Sequence, residues 1–111
     1  MTENREERKM EYTNSELRPF LDHAGRLTAL PAKHKKKLLA LWYIAGKVAP
    51  NRQYTEPEIN DLLDEWTTFH DHATLRRELY NKHLLDRTVD GKHYWRDAEL
   101  PKLEDFLTKY L

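Results

Sequence analysis

Near its C-terminal end the chain carries Asp90-Gly91 between two β-prone stretches, Leu84 to Val89 and Lys92 to Arg96. Asp-Gly in that setting is the strongest short-range hairpin signal, because a tight turn between twisted strands needs residues that tolerate positive φ. The segments upstream are mostly helical in period. A hairpin after several amphipathic helices leaves few architectures open.

Three helices are expected before the hairpin. Between Lys33 and Lys47, Leu38, Leu41, Trp42, Ala45 and Val48 recur on one face. Lys33, Lys36, Lys37 and Lys47 fall on the other, giving a helix with a lysine-coated back. Gln53-Tyr54 suits a very short strand. Thr55 and Glu58 form a capping-box pair with Pro57 in the first turn. Ile59, Leu62, Leu63 and Trp66 then line one stripe of a second helix, with Asp61, Asp64 and Glu65 outward. A turn from Thr67 to Asp71 leads to a third helix, capped by Asp71 and running to about Lys82. Leu75, Leu79 and Tyr80 supply its apolar side, and Thr74, Arg77, Glu78 and Asn81 its open face.

Helix, strand, helix, turn, helix and hairpin is the order of a winged helix-turn-helix. The expected fold is therefore mainly α with a small β-hairpin, a winged helix-turn-helix-like three-helix core with extra flanking helices. One flank is a short helix from Asn14 or Ser15 to Asp22, with Leu17, Phe20 and Leu21 on one face and Gly25 at its end. The other runs from Ala98 to Tyr110, with Leu100, Leu103, Phe106, Leu107 and Tyr110 on one face. Met1 to Thr13 has no apolar period and is expected to be a frayed tail before a single domain over 14–111.

Composition narrows the function classes. The chain of 111 residues suits one domain. It has no cysteine, which excludes disulfides and Cys-ligated zinc and fits a cytoplasmic protein. No signal sequence and no membrane span is legible. Net charge is zero, with 19 basic and 19 acidic residues, which speaks against gripping nucleic acid by bulk charge. The charges are segregated, however. His23 to Gln53 holds no acid, Tyr54 to His72 holds no Lys or Arg, and Ala73 to Arg96 is mildly basic.

A set of short motifs in fixed order carries a family resemblance. They are Phe20, Gly25-Arg26-Leu27, Leu30-Pro31-Ala32-Lys33, Tyr54-Thr55-Glu56, Glu58-Ile59-Asn60, Leu63, Leu75-Arg76-Arg77-Glu78-Leu79, Leu84-Leu85-Asp86-Arg87, Gly91 and Tyr94-Trp95-Arg96. With them the chain resembles the prokaryotic DUF2087 family of unknown function, over about Phe20 to Arg96. The resemblance implies occurrence alone or at the C-terminus of helix-turn-helix transcriptional regulators, and no catalytic residues. Glu65 to Phe69 is longer and more apolar than the family pattern, and the helix after Arg96 lies outside it.

Each candidate site has a plainer counterpart. In a winged helix the third helix enters the major groove and the wing touches the backbone. Thr74, Arg77 and Asn81 would then face bases, and Arg87, Lys92 and His93 phosphates. The plain reading is a solvated helix face and an ordinary hairpin. Lys33, Lys36 and Lys37 would meet phosphates as point charges, or simply form the polar back of their helix. Arg76 is expected to pair with the acidic second helix, and Trp95 to pack the hairpin onto the core. His70-Asp71-His72 does not converge as metal ligands do, so no metal or other cofactor is expected. No nucleophile-base set and no phosphate loop is present, so an enzyme is not expected. The expected function is a transcription-related DNA-binding or regulatory module. The alternative is a protein-interaction or homodimerisation module using the C-terminal helix.

Overall fold

The structure, a computed structural model, describes residues 15–111. The expected tail and the Asn14 cap lie outside the described residues. Residues 15–17 are helical and run into a 3-10 turn at Arg18–Phe20, so the first flank stops before Asp22. Leu21 is already extended and bridges Leu27 in antiparallel fashion. Between them the Asp22 carboxylate accepts the backbone N–H groups of Ala24 and Arg26 at 2.9 and 2.8 Å. Gly25, at φ 79°, closes this loop; it does not terminate a helix as its sequence position suggested. Leu27 is fully buried and also bridges Thr67, which ties the N-terminal segment to residues 66–68.

Helix α1 spans His34–Ala45. Leu38, Leu39, Ala40, Leu41, Ile44 and Ala45 are all buried, so the helix is enclosed on nearly every side. The lysine-coated back is therefore corrected. Lys35, Lys36 and Lys37 crowd the first turn, and only Lys47, beyond the last, lies at the other end.

Tyr54–Thr55 forms strand β1 and Glu56–Glu65 helix α2. The capping box is present: Thr55 N–H donates to Glu58 Oε1 at 2.8 Å, and Glu58 N–H to Thr55 Oγ1 at 3.3 Å. Buried Thr67 donates its hydroxyl to the Leu63 carbonyl at 2.8 Å and leads the chain into a short turn. Helix α3, His72–Asn81, starts at Asp71, whose carboxylate accepts the Thr74 N–H at 3.4 Å. A second tie runs from His72 Nδ1 to Asp64 Oδ2 at 3.0 Å, holding the start of α3 to the end of α2.

Strands β2 (Asp86–Arg87) and β3 (His93–Trp95) form the hairpin, and β1 adds to its other edge in the order β1-β3-β2, all antiparallel. Tyr54 and Arg87 both lie opposite Tyr94. The hairpin is wider than the two-residue turn expected from Asp90-Gly91. Thr88 N–H bonds to the His93 carbonyl at 3.0 Å, and residues 89–92 make the loop. Leu84 and Leu85 are not strand residues; both donate their N–H to the Leu79 carbonyl and close off α3. Period-two alternation puts Tyr94, 6% exposed, on the inward face. Trp95 takes the opposite face and is only partly buried, which corrects the expectation that it anchors the hairpin.

Helix α4 spans Leu103–Tyr110, later than the expected start at Ala98. The segment before it has no regular structure and bends at Ala98 and Glu99, and the Pro101 carbonyl accepts the Trp42 indole N–H at 2.9 Å. Leu103 and Phe106 are buried against the core, and His34 Nε2 lies 2.7 Å from the Tyr110 carbonyl, as donor. The apolar side of α4 is thus folded back on α1. The fold is mostly helical with a small three-stranded antiparallel sheet, and no helix of the described residues is long and apolar enough to cross a membrane.

Candidate nucleic-acid interface

Successive residues advance about 100° around a helix, so the buried positions of α3 fix where its open side lies. Leu75 and Leu79 are fully buried and mark the inward line. Arg77 then stands opposite, with Ala73, Tyr80 and Asn81 beside it; all four are exposed. Counting Tyr80 as a core residue rotates the apparent open face towards Thr74 and Glu78. The structure corrects that. Tyr80 is 37% exposed, Thr74 is half-buried, and Glu78 turns inward to α1.

The two edges of α3 are each pinned by charge. Glu78 Oε2 lies 2.8 Å from Lys37 Nζ on α1. On the other edge Arg76 reaches α2, hydrogen-bonding Asn60 Oδ1 and lying 3.6 Å from Glu56 Oε1, with its guanidinium 5.5 Å from the Tyr94 ring centre. Arg76 therefore pairs with the acidic helix as its position in the sequence suggested. These ties set the rotation of α3 and present Arg77 and Asn81 outward.

The hydrogen bond from Lys37 holds the Glu78 carboxyl below its ordinary 4.5, with burial opposing it and the charges of Lys37, Lys82 and Arg77 assisting. A depressed carboxyl stabilises the fold above its unfolded value and loses that contribution as pH falls through the folded one. Lys37→Met is therefore expected to lower stability by up to about 1 kcal/mol at neutral pH. The gap between variant and parent should vanish well below pH 4.5, and urea midpoints measured against pH check this. A gap that persists in acid would show that Lys37 acts through its stem and not its charge.

Hairpin and helix meet in a shallow pocket of about 380 Å³. Arg77, Tyr80 and Asn81 of α3 and Arg87 and Tyr94 of the sheet line it, with Arg76 at its wall and no acidic residue in the lining. Arg87 lies over the Tyr80 ring at 4.7 Å. The hairpin tip is ordered from within: Asp90 accepts the Thr88 hydroxyl at 2.6 Å and the Lys92 N–H at 3.0 Å. Those two bonds hold the Asp90 carboxyl below its usual range, assisted by the charges of Lys92 and His93.

Of the residues singled out from the sequence, Arg77, Asn81 and Arg87 come together in this pocket. Lys92 is exposed on the hairpin loop, and His93 is half-buried beside Thr55. Thr74 sits at the start of α3, tied to its cap. The lysines of α1 lie apart from the pocket lining. Lys33 is exposed, Lys36 lies 6.0 Å from the Phe20 ring centre, and Lys37 is held by Glu78. Sequence reasoning missed Tyr80 and Tyr94 as pocket residues. The i+4 step from Arg76 to Tyr80 was the legible signal for the first; the second needed the sheet register. Among the described residues no group of His, Asp and Glu is arranged to hold a metal ion.

The chain matches no curated protein and no solved structure. A family described as an uncharacterized protein conserved in bacteria, DUF2087, matches residues 26–96. That stretch runs from the loop before α1 to the end of β3 and contains every residue of the pocket, while α4 lies beyond it. With well over half of its length matched, the chain belongs to the bacterial DUF2087 family.

Proposed function

We propose that the chain is a non-enzymatic winged helix-turn-helix domain that contacts double-stranded DNA in a transcription-related role. In this reading α2 and α3 are the helix-turn-helix, β2–β3 is the wing, and β1 completes the small sheet. The observation that carries it is the outward flank of α3, left uncovered beside the hairpin and basic, with Arg77, Asn81 and Arg87 on one surface. An α-helix fits the major groove of B-DNA, and a wing beside it meets the phosphate backbone. Asn81 and Thr74 would then approach base edges from α3, while Arg87, Lys92 and His93 follow the backbone. Zero net charge is compatible with this, because Glu78 is taken up by Lys37, and Asp90 and Asp86 accept N–H groups within the hairpin, Asp86 remaining exposed beside Arg87. The competing interaction-module reading drew on the neutral charge and on the last helix, whose Leu103 and Phe106 are buried within the chain itself.

Fluorescence anisotropy with a labelled duplex of mixed sequence tests the reading. Binding is expected near 50 mM salt, weakening as salt rises, with a log–log slope of about −3 if three or four phosphates are neutralised. No binding at that salt would remove direct DNA contact from the account.

A further inference from the structure

We propose that the pocket between α3 and the hairpin seats one phosphate of a DNA strand, with Arg77 and Arg87 as its two forks. The proposal rests on the DNA reading above and departs from one expectation of the sequence: Arg77 grips the backbone and reads no base.

The arginines divide by what they touch. Arg26, Arg52 and Arg76 lie 2.8, 3.5 and 3.6 Å from Asp22, Glu58 and Glu56. Arg18, Arg77, Arg87 and Arg96 have no carboxylate within ion-pair distance among the described residues; Arg96 is turned to the Ala45 and Ala98 carbonyls, and of the four Arg77 and Arg87 line this pocket. Two unpaired guanidiniums converging from separate elements on a cavity without acids make a focused positive potential. Their planar forks match the oxygens of a phosphate, which a point-charge lysine does not.

The seat is also built in advance. Arg87 is steadied by the Tyr80 ring and by a 3.4 Å bond from Nη1 to the Thr88 carbonyl. Behind it stands Gly91 at φ 71°, where a Cβ would lie 3.3 Å from the same nitrogen. A glycine there serves both the backbone conformation and the room that the guanidinium occupies. Arg76 cannot swing in, because Glu56 and Asn60 hold it, but its charge remains at the wall. Asn81 adds a neutral amide donor at the rim. The volume, about 380 Å³, exceeds a lone phosphate and admits the sugar attached to it.

The test compares the parent with Arg77→Gln, Arg87→Gln and the double variant, on AT-rich and GC-rich duplexes across a salt series. Each single change is expected to weaken binding about tenfold at low salt. It should also make the salt slope shallower by about 1, equally on both duplexes. The double variant should be little weaker than either single, because one phosphate is shared. Arg52→Gln, away from the pocket, should leave binding unchanged. A second arm titrates inorganic phosphate onto labelled protein and follows the arginine Nε–H signals. Those of Arg77 and Arg87 are expected to move together while Arg52 stays. If phosphate moves them but no duplex binds, the DNA reading falls and the seat belongs to a free phosphate-bearing ligand. If duplex binds and both variants keep the parent's slope, or Arg77→Gln alters only the preference between duplexes, the seat is overturned and the DNA reading stands.

Discussion

A chain ending at Arg96 is expected to lose its cooperative fold, although the family match ends at that same residue. Removing α4 takes away Leu103 and Phe106, which are 3% and 2% exposed, and uncovers the α1 flank beneath them. It also removes the Pro101 carbonyl from the Trp42 indole and the Tyr110 carbonyl from His34. Burial of a Leu and a Phe is worth about 2–5 and 3–5 kcal/mol by truncation to Ala. The sum approaches the whole stability of a small domain, about 5–15 kcal/mol. The point variant Phe106→Ala should lose about 3–5 kcal/mol without removing the rest of the helix. Urea unfolding followed by circular dichroism measures both. A truncated chain that unfolds cooperatively at the parent's midpoint would show that α4 is an appendage.

The second large effect separates two neighbouring aromatics. Tyr94→Ala is expected to destabilise the protein by about 3–5 kcal/mol, as for other large buried aromatics. Tyr94 is 6% exposed, faces Tyr54 and Arg87 across the sheet, and carries Arg76 above its ring. Trp95→Ala should lose much less, since its side chain is partly exposed on the other face of β3. Equilibrium unfolding of both variants decides it. Equal losses, or a greater loss from Trp95, would mean that the hairpin is seated with the opposite face inward.

That pair also shows where sequence reasoning reached its limit. The hairpin was legible from Asp90-Gly91, but its strand alternation depended on register. A one-residue change in register exchanges the faces, and local sequence cannot choose between Tyr94 and Trp95. The α2 cap was fully legible, because a capping box is a local arrangement whose four groups lie within four residues. Partner β1 pairing to β3 was not, since Tyr54 and Tyr94 are far apart in sequence. Helix α1 misled for another reason. Its lysines follow one another in sequence, so they gather at one end while buried Leu39, Ala40 and Ile44 cover the remaining sides. In the candidate site Arg77, Asn81 and Arg87 were found from the helix period and the hairpin alone. The pocket joining them was hidden because Tyr80 looked like core. An aromatic at the margin of an apolar stripe takes either role, and packing settles which.

The central claim is that the outer flank of α3 and the hairpin together touch DNA. Amide shifts of labelled protein, recorded on addition of duplex DNA at low salt, test it most directly. Residues 73–81 and 87–93 should move together, while α4 and the acidic outer side of α2 around Asp61 and Glu65 stay still. Movement confined to those other surfaces, or none anywhere while the protein remains folded, would contradict the claim.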